Sequence, residues 1–316
     1  MAKADKLPLD QAWKNWEACL NGDDPNSIFQ QITVMIWDTS IFQIILAARQ
    51  SQANKKPQAP EINDALHAFI DRNYFQSQSL LIRRITDGRY NLTGNKGVYS
   101  LIALIKDIEN YKNELTRKSF LDLKNMPYDY KEIQSREEKY ILSQHPGRAF
   151  FVPSEFDWQS IEGAHCVFDR LASVTANNRN PNDKIDGKVF GRLLELLSVC
   201  TEITTYVDKF IAHSSTPESR SLQNYTTISI TLRHIWDAHR VIFEAANFLS
   251  ATLFSVDHLA LAIENPAFFT HWEKPLFENG EIDLLKNKFE QYRRETEVWR
   301  SDGIENVWRS IEEKRL

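Results

Sequence analysis

Glycine and proline are scarce in this chain, at 10 and 11 of 316 residues. Apolar–polar alternation bounded by turn residues, the mark of half-buried strands, is almost absent. Both scarcities exclude a sheet-based fold and lead to the expectation of an all-α protein. The three cysteines, Cys19, Cys166 and Cys200, are scattered and odd in number, with no C-x-x-C spacing. A disulfide framework or structural zinc site is thus excluded, and reduced core thiols are expected. Positive charge is not in excess either: 38 Lys and Arg stand against 43 Asp and Glu, a formal charge of −5. Any nucleic-acid contact must therefore be local. The longest unbroken apolar runs, "IILAA" and "LALAI", are short against the roughly 20 residues of a membrane span, and "MAKADKLPLDQAW" has no apolar signal core. A cytoplasmic protein with no membrane contact is the expectation.

What is present is helical periodicity. Trp13, Trp16 and Leu20 share one face of a first segment. Ile32, Met35, Ile36, Ile41, Ile44 and Ile45 lie near one face of a second, from Ser27 to about Gln50. After the linker "ANKKPQAP", Pro60 suits the first turn of a long helix running to "RRITDG". A polar loop follows, then a helix from Tyr99 to about Leu115. Between 116 and 156, "YKEIQSREEKY" reads as a solvated helix and "QHPGRAFFVPSEF" as an irregular connection. No site is expected there. From Lys188, Leu193, Leu196, Leu197, Cys200, Ile203, Val207 and Phe210 form a helical stripe running into "IAHSS". Ser215-Thr216-Pro217-Glu218 has the spacing of a capping box, so a further helix is expected to start there and to reach Phe254. Leu197, Val207 and Trp236 should be buried in this core. The last residues, 282–316, mix both charges around apolar positions, as in a solvated amphipathic tail.

Chemistry could gather where the 188–213 segment ends. Glu202, Tyr206, Lys209 and His213 are three or four residues apart and form a polar seam. A helix C-terminus favours imidazolium, while the free N–H groups of the next helix suit an anion, so His213 could transfer protons beside a phosphate. A histidine in a last helical turn can equally do no more than satisfy orphan carbonyls. Lys209 has a solvated reading beside its site reading. Arg83, Arg84 and Asp87 fit either a helix-end ion pair or a site. The other Arg-to-His spacing, "RHIWDAH" from Arg233 to His239, puts its two ends about 120° apart on one helix and is set aside.

The run "VDKFIAHSS", between a leucine-rich helix and another long helix, resembles the motif region of the HEPN superfamily (higher eukaryotes and prokaryotes nucleotide-binding domains). "SLLIRRITDG" followed by "VYSLIALIKDI" is similar to the first half of the abortive-infection U-type proteins within it. The resemblance implies an antiparallel four-helix-bundle core formed by segments 60–86, 97–115, 188–213 and 217–254, with additional N- and C-terminal helices. The corresponding divisions are helices at 1–56, the bundle at 57–254 with an irregular insertion around 116–187, and an extension at 255–316. A homodimer, a bacterial defence or toxin–antitoxin setting, RNA or an antitoxin as partner, and no cofactor or metal are further implications. His213 matches the motif histidine, the general acid or base of a metal-independent endoribonuclease, and Asp208 the polar residue after the motif arginine. Val207 stands where that arginine would be. Lys209, Arg83 or Arg84 would then have to supply the cation, with Tyr206 and Asp87 beside them. The expected function is binding of RNA or a partner with weak or no cleavage; an endoribonuclease using His213 and a purely structural helical interaction protein are the alternatives.

Overall fold

The protein is described here from a computed structural model, covering residues 6–55, 64–94, 96–143, 158–212, 216–218 and 230–258, with single positions between 283 and 294. Its fold is all-α. Helices α1 (Leu9–Asn21), α2 (Ile28–Lys55), α3 (Asp64–Ile85) and α4 (Leu101–Asn110) are followed by α5 (Arg117–Leu123), α6 (Lys131–Ser143) and α7 (Trp158–Ala172). Next come α8 (Gly187–Leu197), α9 (Thr201–Tyr206) and α10 (Leu232–Leu249). The chain divides into compact units Met1–Ala262 and Ile263–Leu316. Most of the second unit, Pro60, and the whole connection "QHPGRAFFVPSEF" lie outside the described residues.

Apolar spacing puts the expected faces inward. Trp16, Leu20, Ile32, Met35, Ile82, Ile85, Leu104, Ile105 and Ile108 are all fully buried, and Leu197 and Val207 are buried as expected. The N-terminal helices share this core: α2 packs on α3 and α10, and α1 on α2 and α4. Helix α2 contains a 24-residue window, Ile28–Ser51, of mean hydropathy 1.4, long and apolar enough to cross a membrane by length and composition. Counting unbroken apolar runs misses it, because polar residues interrupt the window. Ile28, Phe29, Ile32, Met35 and Phe42 of that window are buried in the protein core.

Several expectations are corrected. Trp236 is 38% exposed. It sits at the edge of the buried face made by Ile235, Ala238, Val241, Ile242 and Ala245, where its indole reaches the Tyr74 hydroxyl. Pro217 and Glu218 are helical as expected, but the helix holding Trp236 starts afresh at Leu232: Thr231 caps it, accepting from the His234 N–H while the His234 ring accepts from the Thr231 N–H. Thr231 therefore supplies the same two-way cap expected at Ser215, whose own position lies outside the described residues. The 188–213 segment is not one regular helix. A 3-10 turn at Ser198–Cys200 separates α8 from α9, and a π turn at Val207–Ile211 follows. Val199, Thr201, Ile203, Thr204, Thr205 and Val207 are β-branched, and such residues resist regular helix. Cys166 is exposed rather than in the core, since it faces Glu162 on its own helix and Arg179 from the loop after α7.

Candidate functional site

The last turn of α3 carries Arg83 and Arg84, and the chain turns sharply after it. Ser100 is fully buried and holds that turn: its hydroxyl lies 2.7 Å from the Asp87 carbonyl and 3.1 Å from that of Ile85, and it caps α4. Gly88 meets the side chain of Ile102 so closely that a Cβ would lie 2.8 Å from it, and Lys106 donates to the Gly88 carbonyl. A side chain at position 88 would push α4 away from the loop. The loop thus presents Asp87 and Arg89 beside Arg83 in a fixed arrangement.

On the other side α9 and the π turn after it pack against α3, and the π turn delivers Asp208. Arg83 Nε donates to Asp208 at 3.0 Å, and its guanidinium lies 3.2 Å from Asp87. Arg89 binds Asp87 at 3.0 Å and Asp208 at 3.2 Å. Two guanidiniums and two carboxylates therefore alternate around a closed square of charge. Burial pushes the Asp87 carboxyl above its usual range; Arg83 pulls it back, and Asp208 adds to the rise. Both guanidiniums lie within 3.2 Å of Asp87 and favour its charged form against that burial.

The structure thus brings together three of the expected residues, Arg83, Asp87 and Asp208. Arg84 turns to the opposite side and donates to Asn26 at 2.8 Å. It lines, with Asn26, Arg83, Asp87, Tyr90 and Tyr99, a cleft of 390 Å³. Tyr206 stacks on Phe210 with ring centres 5.2 Å apart, and Lys209 is half-buried on the π turn. His213 lies outside the described residues, as does the end of its seam. Arg89 was missed: it sits in a polar loop with no periodicity to mark its direction. Arg233 is 88% exposed along its side chain while His239 is buried, so "RHIWDAH" forms no site.

A second polar cluster joins Arg117, in the 116–156 stretch where no site was expected, to residues between 162 and 183. Arg117 at the start of α5 is fully buried, held by Asp183 at 2.9 Å, Asp169 at 2.8 Å and the His165 carbonyl at 3.0 Å, with its guanidinium 5.1 Å from the Phe168 ring centre. Arg179 binds Glu162 at 2.7 Å and Asp169 at 2.8 Å. Its hydrogen bonds pull the Glu162 carboxyl down to about 2. The charges here are paired with one another across α5, α7 and the loop after it, so the cluster ties these elements together. Among the described residues, no cluster of His, Cys, Asp and Glu side chains could hold a metal ion. In comparisons with known proteins, the chain matches no family model, no curated protein and no solved structure.

Proposed function

We propose that the protein is a HEPN-like module, of the bacterial defence or toxin–antitoxin kind, that binds RNA along the Arg83 and Arg84 side of the 390 Å³ cleft, with Arg89 joined to Arg83 through Asp87 and Asp208, and cleaves it weakly or not at all. The observation that carries this reading is the delivery of Arg83 and Arg89 to Asp208. In the resemblance an arginine precedes the residue at 208; here Val207 fills that place and is wholly buried, while α3 and its loop bring cations to the neighbouring residue. Guanidiniums suit phosphate because they offer paired donors. Those same donors are held by Asp87 and Asp208, so the square has no surplus charge and phosphate must compete for it. Modest binding follows, and little stabilisation of a phosphoryl transition state. A four-helix core, a cytosolic location and a homodimer, whose protein partner would be an antitoxin, belong to the same proposal and rest on the resemblance.

The endoribonuclease reading is supported by one observation: Arg83 binds Asp208, the residue next to the position where the motif arginine is missing. In it His213 transfers the proton and Arg83 steadies the phosphate. Anisotropy and gel assays on labelled single-stranded RNA without metal separate the two. Binding that weakens with salt and with Arg84→Gln, without cleavage, supports the module. Cleavage lost in His213→Ala supports the enzyme. Neither binding nor cleavage leaves the purely structural alternative.

A further inference from the structure

Away from the arginine cleft, α7, α8 and α10 enclose an open trough of 620 Å³. Its walls are stripes at helical spacing: Val189, Leu193 and Leu196 on α8, Val167 and Leu171 on α7, and Phe248 on α10. Leu171 and Leu193 form a buried floor, while Phe248 is 37% exposed. Positions 189 to 196 on α8, and 244 on α10 to 252 on the π turn Ser250–Phe254 that continues it, each extend about two helical turns, roughly 11–12 Å. The rim is charged unevenly. Arg170, Lys188 and Arg192 edge it from α7 and α8, all exposed, and Glu244 is the one acidic group lining it. Arg192 reaches only the exposed Glu195, one turn along, and exposed pairs of this kind hold weakly.

We propose that this trough binds an amphipathic helix of a protein partner, with two or three apolar residues at i, i+3 or i+4 and i+7 on the floor and acidic residues flanking them over α7 and α8. The depth and length fit a helix face. Arg170, Lys188 and Arg192 outnumber Glu244 and the Glu195 that pairs with Arg192, a surplus that favours an acidic ligand over a basic one. The surface lies on helices separate from the arginine cleft, so the inference stands whether or not RNA binds there.

The full-length chain is titrated with two fluorescent helical peptides that share a Leu-x-x-Leu-x-x-x-Leu face, one flanked by glutamates and the other by lysines. The glutamate peptide should bind, weaken with salt, and lose at least about tenfold in affinity to the Arg170→Glu/Arg192→Glu chain, equivalent to about 1.4 kcal/mol. Phe248→Asp, on an exposed side chain that should not disturb folding, should remove binding. Equal binding of the lysine peptide, or of the glutamate peptide to both variants, overturns the proposal. So does sedimentation showing a dimer that Phe248→Asp converts to monomer, because a second copy then fills the trough.

Discussion

Asp208 sets the charge balance of the arginine square, since it occupies one donor face of Arg83 and one of Arg89. Under the binding proposal, Asp208→Asn leaves both guanidiniums with a surplus positive charge, and RNA affinity should rise about three- to tenfold, measured by anisotropy at fixed salt. A fall would show that Asp208 helps to bind or position the ligand. A different residue governs pH behaviour. His239 is 4% exposed, with its Nε2 unpartnered among the described residues, and burial pushes its pKa down to about 4. The folded imidazole therefore stays neutral while the unfolded one takes up a proton below about 6.5. Stability is at its full value above that pH, declines as pH falls, and has lost its whole His239 share below about 4, approximately 3 kcal/mol in all. Burial shifts His165 and His258 in the same direction. Urea unfolding of His239→Leu between pH 7 and 5 should show a shallower decline than the parent chain; an equal slope would place the proton uptake elsewhere.

Helix ends and interruptions decide what each element presents. Thr231→Ala removes an acceptor from the first turn of α10 and should cost about 1 kcal/mol in denaturant unfolding. Leu197→Ala, in the buried stripe of α8, should cost about 2 to 5 kcal/mol. Equal costs would mean that α8 is less tightly packed than its burial indicates. The contrast also shows which information the sequence carried. Apolar spacing located Leu197 and Val207 in the core, because burial repeats every three or four residues and leaves that mark on any window of two turns. Turn chemistry is less legible. Thr231 and His234 have the spacing of a cap, but so do Ser215 and Glu218, and spacing alone cannot rank them. The break at Ser198–Cys200 left only a raised share of β-branched residues, a weak signal against a strong stripe.

Across the whole molecule, the ion pairs of Arg117 join α5 to α7 and to the Asp183 loop, in a stretch whose sequence shows charge without period. Pairing between distant residues writes no pattern along a chain, which is also why Arg89 escaped notice while Arg83 and Asp87, four residues apart, did not. Arg117→Met leaves Asp183 buried without its partner and should lower stability by about 3 to 5 kcal/mol, read as a shifted urea midpoint. A shift below about 1 kcal/mol would mean that Arg179 and water take over the pairing.

The π turn at Val207–Ile211 closes with the Ala212 N–H bonded to the Val207 carbonyl, a loop one residue wider than a regular turn. Such a turn is how a helix absorbs one inserted residue without disturbing what precedes it. Asp208 lies inside the widened loop. Excising a single residue between Lys209 and Ile211 would therefore let the turn close as an ordinary α-helical one, with α9 and the buried Val207 left in place. The wide turn is thus a local store of one residue of chain, held beside the carboxylate that meets Arg83.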